Sequence, residues 1–149
     1  MKNLGAVSAS LESTNLHDRF SRPFNSLRVS VTQRCNFDCF FCHREGEAPS
    51  SGEMTSKEIG EIAGVACKLG VKKVKLTGGE PLLREDITDI ISRISRHADE
   101  VSMTTNGSLL KESAAALRKA GLKRVNVSLH SIDPETFAKI TGRDALQQV

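Results

Sequence analysis

The chain has 149 residues, of which 38% are hydrophobic and 26% charged, the balance of a globular domain with one core. Its net charge of +3 is spread without a basic block, so the sequence gives no case for nucleic-acid binding. No apolar run approaches the length of a membrane span, and the N-terminus lacks the pattern of a secretory signal. We therefore expect a cytoplasmic protein without a membrane partner.

The predicted elements alternate along the chain. Residues 1–25 lack periodicity and are expected to form a flexible leader before a single domain at 26–149. Strands are predicted over 27–32, 72–77, 100–105 and 124–130, and helices over 55–70, 84–97, 109–120 and after Asp133. This order predicts an α/β fold with parallel strands. Four such units fall short of a closed barrel, so we expect a partial βα barrel that stops before closure, or else a small open α/β domain.

Three of the four predicted strands have one polar face. In the first, Leu27, Val29 and Val31 alternate with polar residues, and the polar faces of the first two strands carry three cations: Arg28, Lys73 and Lys75. Unpaired cations are costly to bury, so this face should hold water or an anionic ligand such as a phosphorylated small molecule. A half-exposed sheet with a solvated face is the alternative. The third strand fits less well, since Thr105 shares a face with Val101.

Three cysteines, Cys35, Cys39 and Cys42, follow the first strand with the spacing C-x3-C-x2-C. Thiolates favour zinc or iron–sulfur clusters, and a cubane held by three cysteines leaves one iron open for a ligand. Two alternatives remain at this point. The cysteines could form a buried stripe on a helix, or a zinc site could use His43 or Cys67 as its fourth ligand.

Several motifs in the same order resemble a known family. These are LRVSVTQRCNFDCFFC (27–42), LTGGEPLLR (76–84), TTNGSLL (104–110) and VNVSLHSIDPETFAKITG (125–142), preceded by DRFSRPFNSLR (18–28). The chain from residue 18 onward resembles the N-terminal half of the radical S-adenosylmethionine (SAM) enzymes of the GTP 3′,8-cyclase family. The segment FFCHREGE (40–47), together with His130, resembles the archaeal branch. Gln33 and Ser21 depart from the family pattern.

The resemblance implies a set of cofactor ligands. Cys35, Cys39 and Cys42 would bind a 4Fe–4S cluster whose fourth iron chelates SAM. Phe41, Gly78, Gly79, Glu80 and Ser128 would form the SAM site, with Glu80 as a charge partner for an ammonium group and Phe41 near the adenine. Without a cofactor, Phe41 would be a packing residue, Gly78 and Gly79 would form a turn, and Ser128 would be a polar residue at a strand end.

The resemblance also implies a substrate. Arg28, Lys75 and Thr105 match positions assigned to GTP, and Lys73 lies close to them. The implied reaction converts GTP to (8S)-3′,8-cyclo-7,8-dihydroguanosine 5′-triphosphate in molybdenum cofactor biosynthesis, with an external electron donor. The family's second half, with its second cluster, is absent from this sequence. We therefore expect the 149 residues alone to be catalytically incomplete and to associate, for example as a homodimer.

Three other interpretations stay open. The chain could be a radical SAM enzyme with a different substrate, such as a peptide. It could be a zinc-stabilised binding module, or an inactive fragment.

Overall fold

A computed structural model describes residues 16–42 and 52–149. The strands are β1 (Ser26–Ser30), β2 (Lys73–Thr77), β3 (Glu100–Thr105) and β4 (Arg124–Val127). The α-helices are α1 (Ser56–Lys68), α2 (Ile87–Ser95), α3 (Leu110–Ala120) and α4 (Pro134–Thr141). Two short 3₁₀ turns cover Pro81–Leu83 and Leu146–Gln148. The predicted alternation of strands and helices is confirmed.

The strands form one open parallel sheet in the order β1-β2-β3-β4. Each strand lies beside the next in sequence, as crossover helices of this length require. β4 is shorter than predicted because β3 ends at Thr105, so the chain beyond Val127 has almost no ladder partner. The open four-stranded sheet with alternating helices confirms the expectation of a partial βα barrel.

One face of the sheet carries the core. Val74, Leu76 and Met103 are fully buried on this face, against the helices that cross over it. α2 lies in the centre and buries four isoleucines: Ile87, Ile90, Ile91 and Ile94. Its apolar stripe is the one expected from the spacing of these residues. The opposite face of the sheet is thereby left for polar side chains.

The helix ends follow the sequence signals closely. Thr55 caps α1 in a capping box, in which its side chain accepts from the Glu58 amide and the Glu58 carboxylate accepts from the Thr55 amide. Gly121 and Gly142 end α3 and α4 in the left-handed conformation, with φ of 111° and 68°. α2 begins later than predicted because Arg84 and Asp86 form an ion pair ahead of it.

The predicted leader has hydrogen-bonded structure from Leu16 onward. The Leu16 amide donates to the carbonyl of Leu69 at the end of α1, and His17 and Pro23 form an antiparallel bridge. Residues 1–15, the first part of that prediction, lie outside the described residues. Within the described ranges, no helix has the length and apolar character to cross a membrane.

Candidate cofactor and substrate site

The three clustered cysteines lie on one cavity at the carboxyl end of the sheet. Cys35, Cys39 and Cys42 line a space of about 840 Å³ together with Gly78 and Gly79 from the end of β2. All three thiols are free. Burial raises the pKa of the Cys39 thiol, and the negative charges of the other two cysteines raise it further. A bound metal cation would offset both effects, so the donor set suits a metal centre.

The three thiols do not form a ready-made single-ion site within the described residues. In the part of the chain that the structure describes, no three His, Cys, Asp or Glu side chains converge on a single-ion site. A tetrahedral zinc would bring its sulfur ligands to within about 4 Å of one another. A cubane instead takes one cysteine per iron, so its ligands stand further apart. Cys67 does not line the cavity, and His43 lies outside the described residues.

Gly78 and Gly79 bring the end of β2 against the backbone that precedes the cysteines. The amide of Gly79 donates to the carbonyl of Thr32 at 2.8 Å, and the amide of Glu80 donates to that of Arg34 at 2.8 Å. A Cβ atom on Gly78 would overlap the carbonyl of Thr32, and one on Gly79 that of Arg34. This close approach of glycine backbone joins the end of β2 to the cysteine loop, residues 31–42, which follows β1.

The carboxylate of Glu80 is buried and hydrogen-bonded. Its side chain, with 0% exposure, accepts hydrogen bonds from the Leu82 amide, the Thr105 hydroxyl and the Asn106 amide at 2.7–3.0 Å. These contacts cap the 3₁₀ turn and join the end of β2 to that of β3. Glu80 thus lies just after β2, outside the lining of the cavity, and its carboxylate is engaged by its own chain, since a buried carboxylate needs such partners.

A polar network that sequence reasoning missed joins the cysteine loop to the end of β3. Asn36 donates through Nδ2 to Ser108 Oγ at 2.9 Å and accepts at Oδ1 from Asn106 Nδ2 at 2.8 Å. Ser108 Oγ also donates to Asn106 Oδ1 at 2.8 Å. Two sequence features pointed toward this network: the polar Asn36 between two cysteines, and the motif at 104–110. By itself that motif is typical of a turn.

The sheet register places the predicted cations on one face. Arg28 pairs with Lys75, and Lys75 pairs with Ser102, so these side chains share the polar face with Lys73. None of the three cations makes an ion pair with another residue within the described ranges. Arg28 also lines the cysteine cavity. The polar face thus carries positive charge that no described residue pairs, and one of its three cations reaches the cavity of the thiols.

Two further arginines lie near this face. Arg124 forms an ion pair of 2.7 Å with Glu100. Arg143 lines the cavity with the cysteines and directly follows Gly142, which ends α4. Sequence reasoning missed Arg143, whose only local signal is a basic residue directly after a helix-ending glycine.

Thr105 does not share a face with Arg28 and Lys75. It pairs with Val127 on the helix-covered face, is buried, and donates its hydroxyl to Glu80. This agrees with the alternation of β3, which places Thr105 on the same face as Val101. The β3 hydroxyls on the polar face belong to Ser102, which pairs with Lys75, and to Thr104, which pairs with Asn126.

The two remaining predicted SAM positions, Phe41 and Ser128, lie in different parts of the chain, the first in the cysteine loop and the second just after β4. The Phe41 ring lies 4.8 Å from the His130 ring in an edge-to-face contact. Ser128 follows β4 and is tied to β3, since its amide donates to the carbonyl of Thr105 at 2.9 Å. The contact with His130 therefore links the cysteine loop to the end of β4, where Ser128 lies.

Several curated proteins of similar sequence carry the same description. The chain is 56% identical over 135 residues to a "Probable GTP 3′,8-cyclase" of Thermococcus kodakarensis, covering 90% of the chain and 44% of that protein. It is 50% identical to a protein of the same description from Saccharolobus solfataricus, covering 89% of the chain and 43% of that protein. The chain thus spans less than half the length of these relatives.

Solved structures share the fold. A crystal structure of Streptococcus suis SuiB bound to S-adenosylmethionine matches with a TM-score of 0.66 and 24% identity, over 78% of this chain and 26% of that one. A structure of BtrN in complex with AdoMet and 2-DOIA matches with a TM-score of 0.61 and 21% identity, over 80% of this chain and 51% of that one.

The sequence family described as Radical SAM superfamily matches residues 29–149, which include all three clustered cysteines. Its members use a 4Fe–4S cluster and SAM, and the expectation of these two cofactors is confirmed. The matched range also includes Gly78, Gly79 and strands β2 to β4. The chain belongs to the radical SAM superfamily.

Proposed function

We propose that the chain is the N-terminal part of a GTP 3′,8-cyclase acting in molybdenum cofactor biosynthesis. The observation that carries the proposal is the set of three cations on the polar face, without ion-pair partners among the described residues, of which Arg28 also lines the cavity of the three thiols. An anionic substrate would neutralise such a surface. Relatives about 50% identical, described as probable enzymes of this kind, support the same substrate.

In this proposal the cavity holds both cofactors. Cys35, Cys39 and Cys42 bind the cluster, and Gly78 and Gly79 let SAM approach the end of β2. When bound, the cluster and SAM supply the radical chemistry that takes hydrogen from C3′ of GTP and joins that carbon to C8. The protein residues position the reactants and keep water away. The remaining proposed SAM contacts are Phe41, Glu80 and Ser128.

Glu80 acts in this proposal chiefly through its neighbours. Because its carboxylate is occupied by Leu82, Thr105 and Asn106, it holds the ends of β2 and β3 in place. A SAM ammonium would then meet backbone carbonyls of the glycine turn, with the buried carboxylate nearby as a source of negative potential.

Arg28, Lys73 and Lys75 are proposed to bind the triphosphate of GTP. Arginine can bind phosphate through two parallel hydrogen bonds, whereas lysine acts as a point charge. Thr105 lies on the opposite face of the sheet and would support this site indirectly, since its hydroxyl donates to Glu80 at the end of β2. The proposed partners are therefore GTP and an electron donor, in the cytoplasm, where four free thiols stay reduced.

The deciding experiment is anaerobic reconstitution with iron and sulfide, followed by reduction with dithionite and assay of 5′-deoxyadenosine with and without GTP. We expect about four irons per chain and formation of 5′-deoxyadenosine, with cyclisation incomplete in the 149-residue chain. Replacement of all three cysteines by alanine should abolish both iron binding and the formation of 5′-deoxyadenosine. Iron retained by that triple variant would overturn the proposal.

A second measurement tests the substrate. Titration of the reconstituted chain with GTP should show binding that Lys75→Ala weakens about tenfold, a typical effect of removing one phosphate contact. Lys72→Ala is the control, because it removes the same charge just before β2 begins. Equal losses in both variants, or none in either, would contradict a GTP site on the polar face.

These measurements also separate the other interpretations. SAM cleavage without GTP binding would indicate a radical SAM enzyme for another substrate. Zinc without iron or labile sulfide would indicate a binding module, and a chain that binds neither would be an inactive fragment.

A further inference from the structure

The C-terminal end of α4 contacts the cysteine loop, residues 31–42, through backbone hydrogen bonds. The amide of Asp38 donates to the carbonyl of Thr141 at 2.8 Å, and the amide of Phe40 donates to that of Ile140 at 3.2 Å. The last carbonyls of a helix have no partner within the helix and must find one elsewhere. Here the cysteine loop supplies that partner, and two of its own amides are satisfied in return.

A ring contact strengthens the same junction. Phe137 of α4 meets Phe37 of the loop edge to face, with ring centroids 5.9 Å apart. Phe137 has 0% exposure, yet among the described residues the main hydrophobic core draws on the sheet and the first three helices and includes no α4 residue. The best-buried side chain of α4 therefore packs beside the cysteine loop and outside the main core.

The turn that ends α4 is shaped to fit against the loop. Gly142 has a φ of 68°, and a Cβ atom there would lie 3.0 Å from the carbonyl oxygen of Asp38. The buried Thr141 hydroxyl donates to the Phe137 carbonyl at 2.8 Å, which fixes the last turn of the helix. Glycine is thus required at 142 both by its conformation and by the approach of the loop.

We propose that α4 is a positioning element of the cluster site: its C-terminal end holds the cysteine loop in its metal-binding shape before any metal is present. The end of β2 and the Asn36 network hold the loop from the other side. With the loop ordered in advance, cluster binding loses less conformational entropy. This inference rests on the proposed cluster site, and its test reads the contacts of α4 with the loop separately from cluster binding.

The test is hydrogen exchange in the iron-free chain, read at the amides of Asp38 and Phe40. Gly142→Ala should accelerate exchange there about tenfold or more, since it loosens hydrogen bonds that close the junction. The same variant should take up several-fold less iron at limiting supply and alter the electron paramagnetic resonance spectrum of the reduced cluster.

Gly121→Ala is the matched control, because Gly121 also ends a helix in the left-handed conformation and a Cβ atom there would meet Ser95 at 2.7 Å, away from the loop. It should lower the melting temperature without changing loop exchange or iron uptake. Phe137→Leu keeps an apolar side chain and removes the ring contact, and should accelerate exchange at both amides by a smaller factor.

Unchanged loop exchange in both Gly142→Ala and Phe137→Leu would overturn the proposal, as would equal loop effects in Gly121→Ala. A wild-type chain that binds no iron would defeat the proposed function, while the exchange data would still decide whether α4 holds the loop.

Discussion

At the residue scale, two buried charged side chains organise the carboxyl end of the sheet. Glu80 joins β2 to β3, and Arg84 joins the end of β1 to the start of α2. Arg84 donates to the carbonyls of Val31 and Met54 at 2.8 Å and makes two bonds of 2.7 Å to Asp86. Neither joining role was visible in the sequence, because Thr105 lies 25 residues from Glu80 and Val31 lies 53 residues from Arg84.

Glu80→Gln should lower the free energy of unfolding by about 2 kcal/mol, the scale for hydrogen bonds to a buried charged group. The amide NH₂ of glutamine would face donors on one side of the group, leaving them unpaired. Urea denaturation measures the change. Glu85→Gln, at an exposed neighbouring position, should have almost no effect. Equal midpoints for the two variants would refute the buried role.

Arg84→Lys should lower the free energy of unfolding by about 2 kcal/mol. Arg84 makes four hydrogen bonds, to Asp86 and two carbonyls, and the three N–H donors of lysine cannot replace them all. The Arg84 hydrogen bond, more than the Arg84 charge, holds the pKa of Asp86 below its usual 3.8. This pair therefore stabilises the fold above that pH and is lost as the pH falls through the lower folded pKa.

As the pH is lowered from about 5 to about 3, the free energy of unfolding should consequently fall less steeply in Arg84→Lys than in the wild type. Arg93→Lys replaces a more exposed partner of Asp89 and serves as the control. Identical pH profiles for wild type and Arg84→Lys would contradict the assignment.

At the element scale, the cysteine loop is held by three separate parts of the chain. The end of β2 contacts it through glycine backbone, the end of β3 through Asn106 and Ser108, and α4 through its C-terminal carbonyls. The first contact could be predicted from two glycines after a strand. The other two depend on which loops meet, and local patterns do not carry that information.

Gly79→Ala should destabilise the chain by about 1–3 kcal/mol, the usual cost of forcing atoms into a packed site. The added methyl would overlap the Arg34 carbonyl, and backbone cannot move away cheaply. Thermal unfolding and iron content measure the effect, and both should fall. Gly64→Ala is the control, since its methyl would meet only the tip of the His97 side chain at 3.3 Å. Comparable losses in both variants would argue against the backbone contact.

At the scale of the whole molecule, the sheet is open. β1 and β4 are its edges, and exposed apolar residues follow β4, including Leu129 at 49% and Ile132 at 85% exposure. Open edges and apolar patches promote association.

The isolated chain should therefore self-associate at micromolar concentration, as measured by sedimentation velocity. The double variant Leu129→Lys, Ile132→Lys should raise the monomer fraction, because charge blocks apolar contact at that edge. Ile62→Lys, on the exposed side of α1, should not. A sharp monomer boundary and cooperative unfolding of the unmodified chain would refute this expectation.

The sequence alone determined the alternation of strands and helices, the apolar and polar faces of β1 and β2, and the placement of three cysteines after a strand. These features follow from local periodicity and chain chirality, which nearby residues encode. Only the tertiary structure decided that Thr105 faces Glu80, that Asn36 meets Ser108, and that α4 ends against Asp38. Those contacts depend on strand register and on the meeting of distant loops, so they exist only once the whole core has packed.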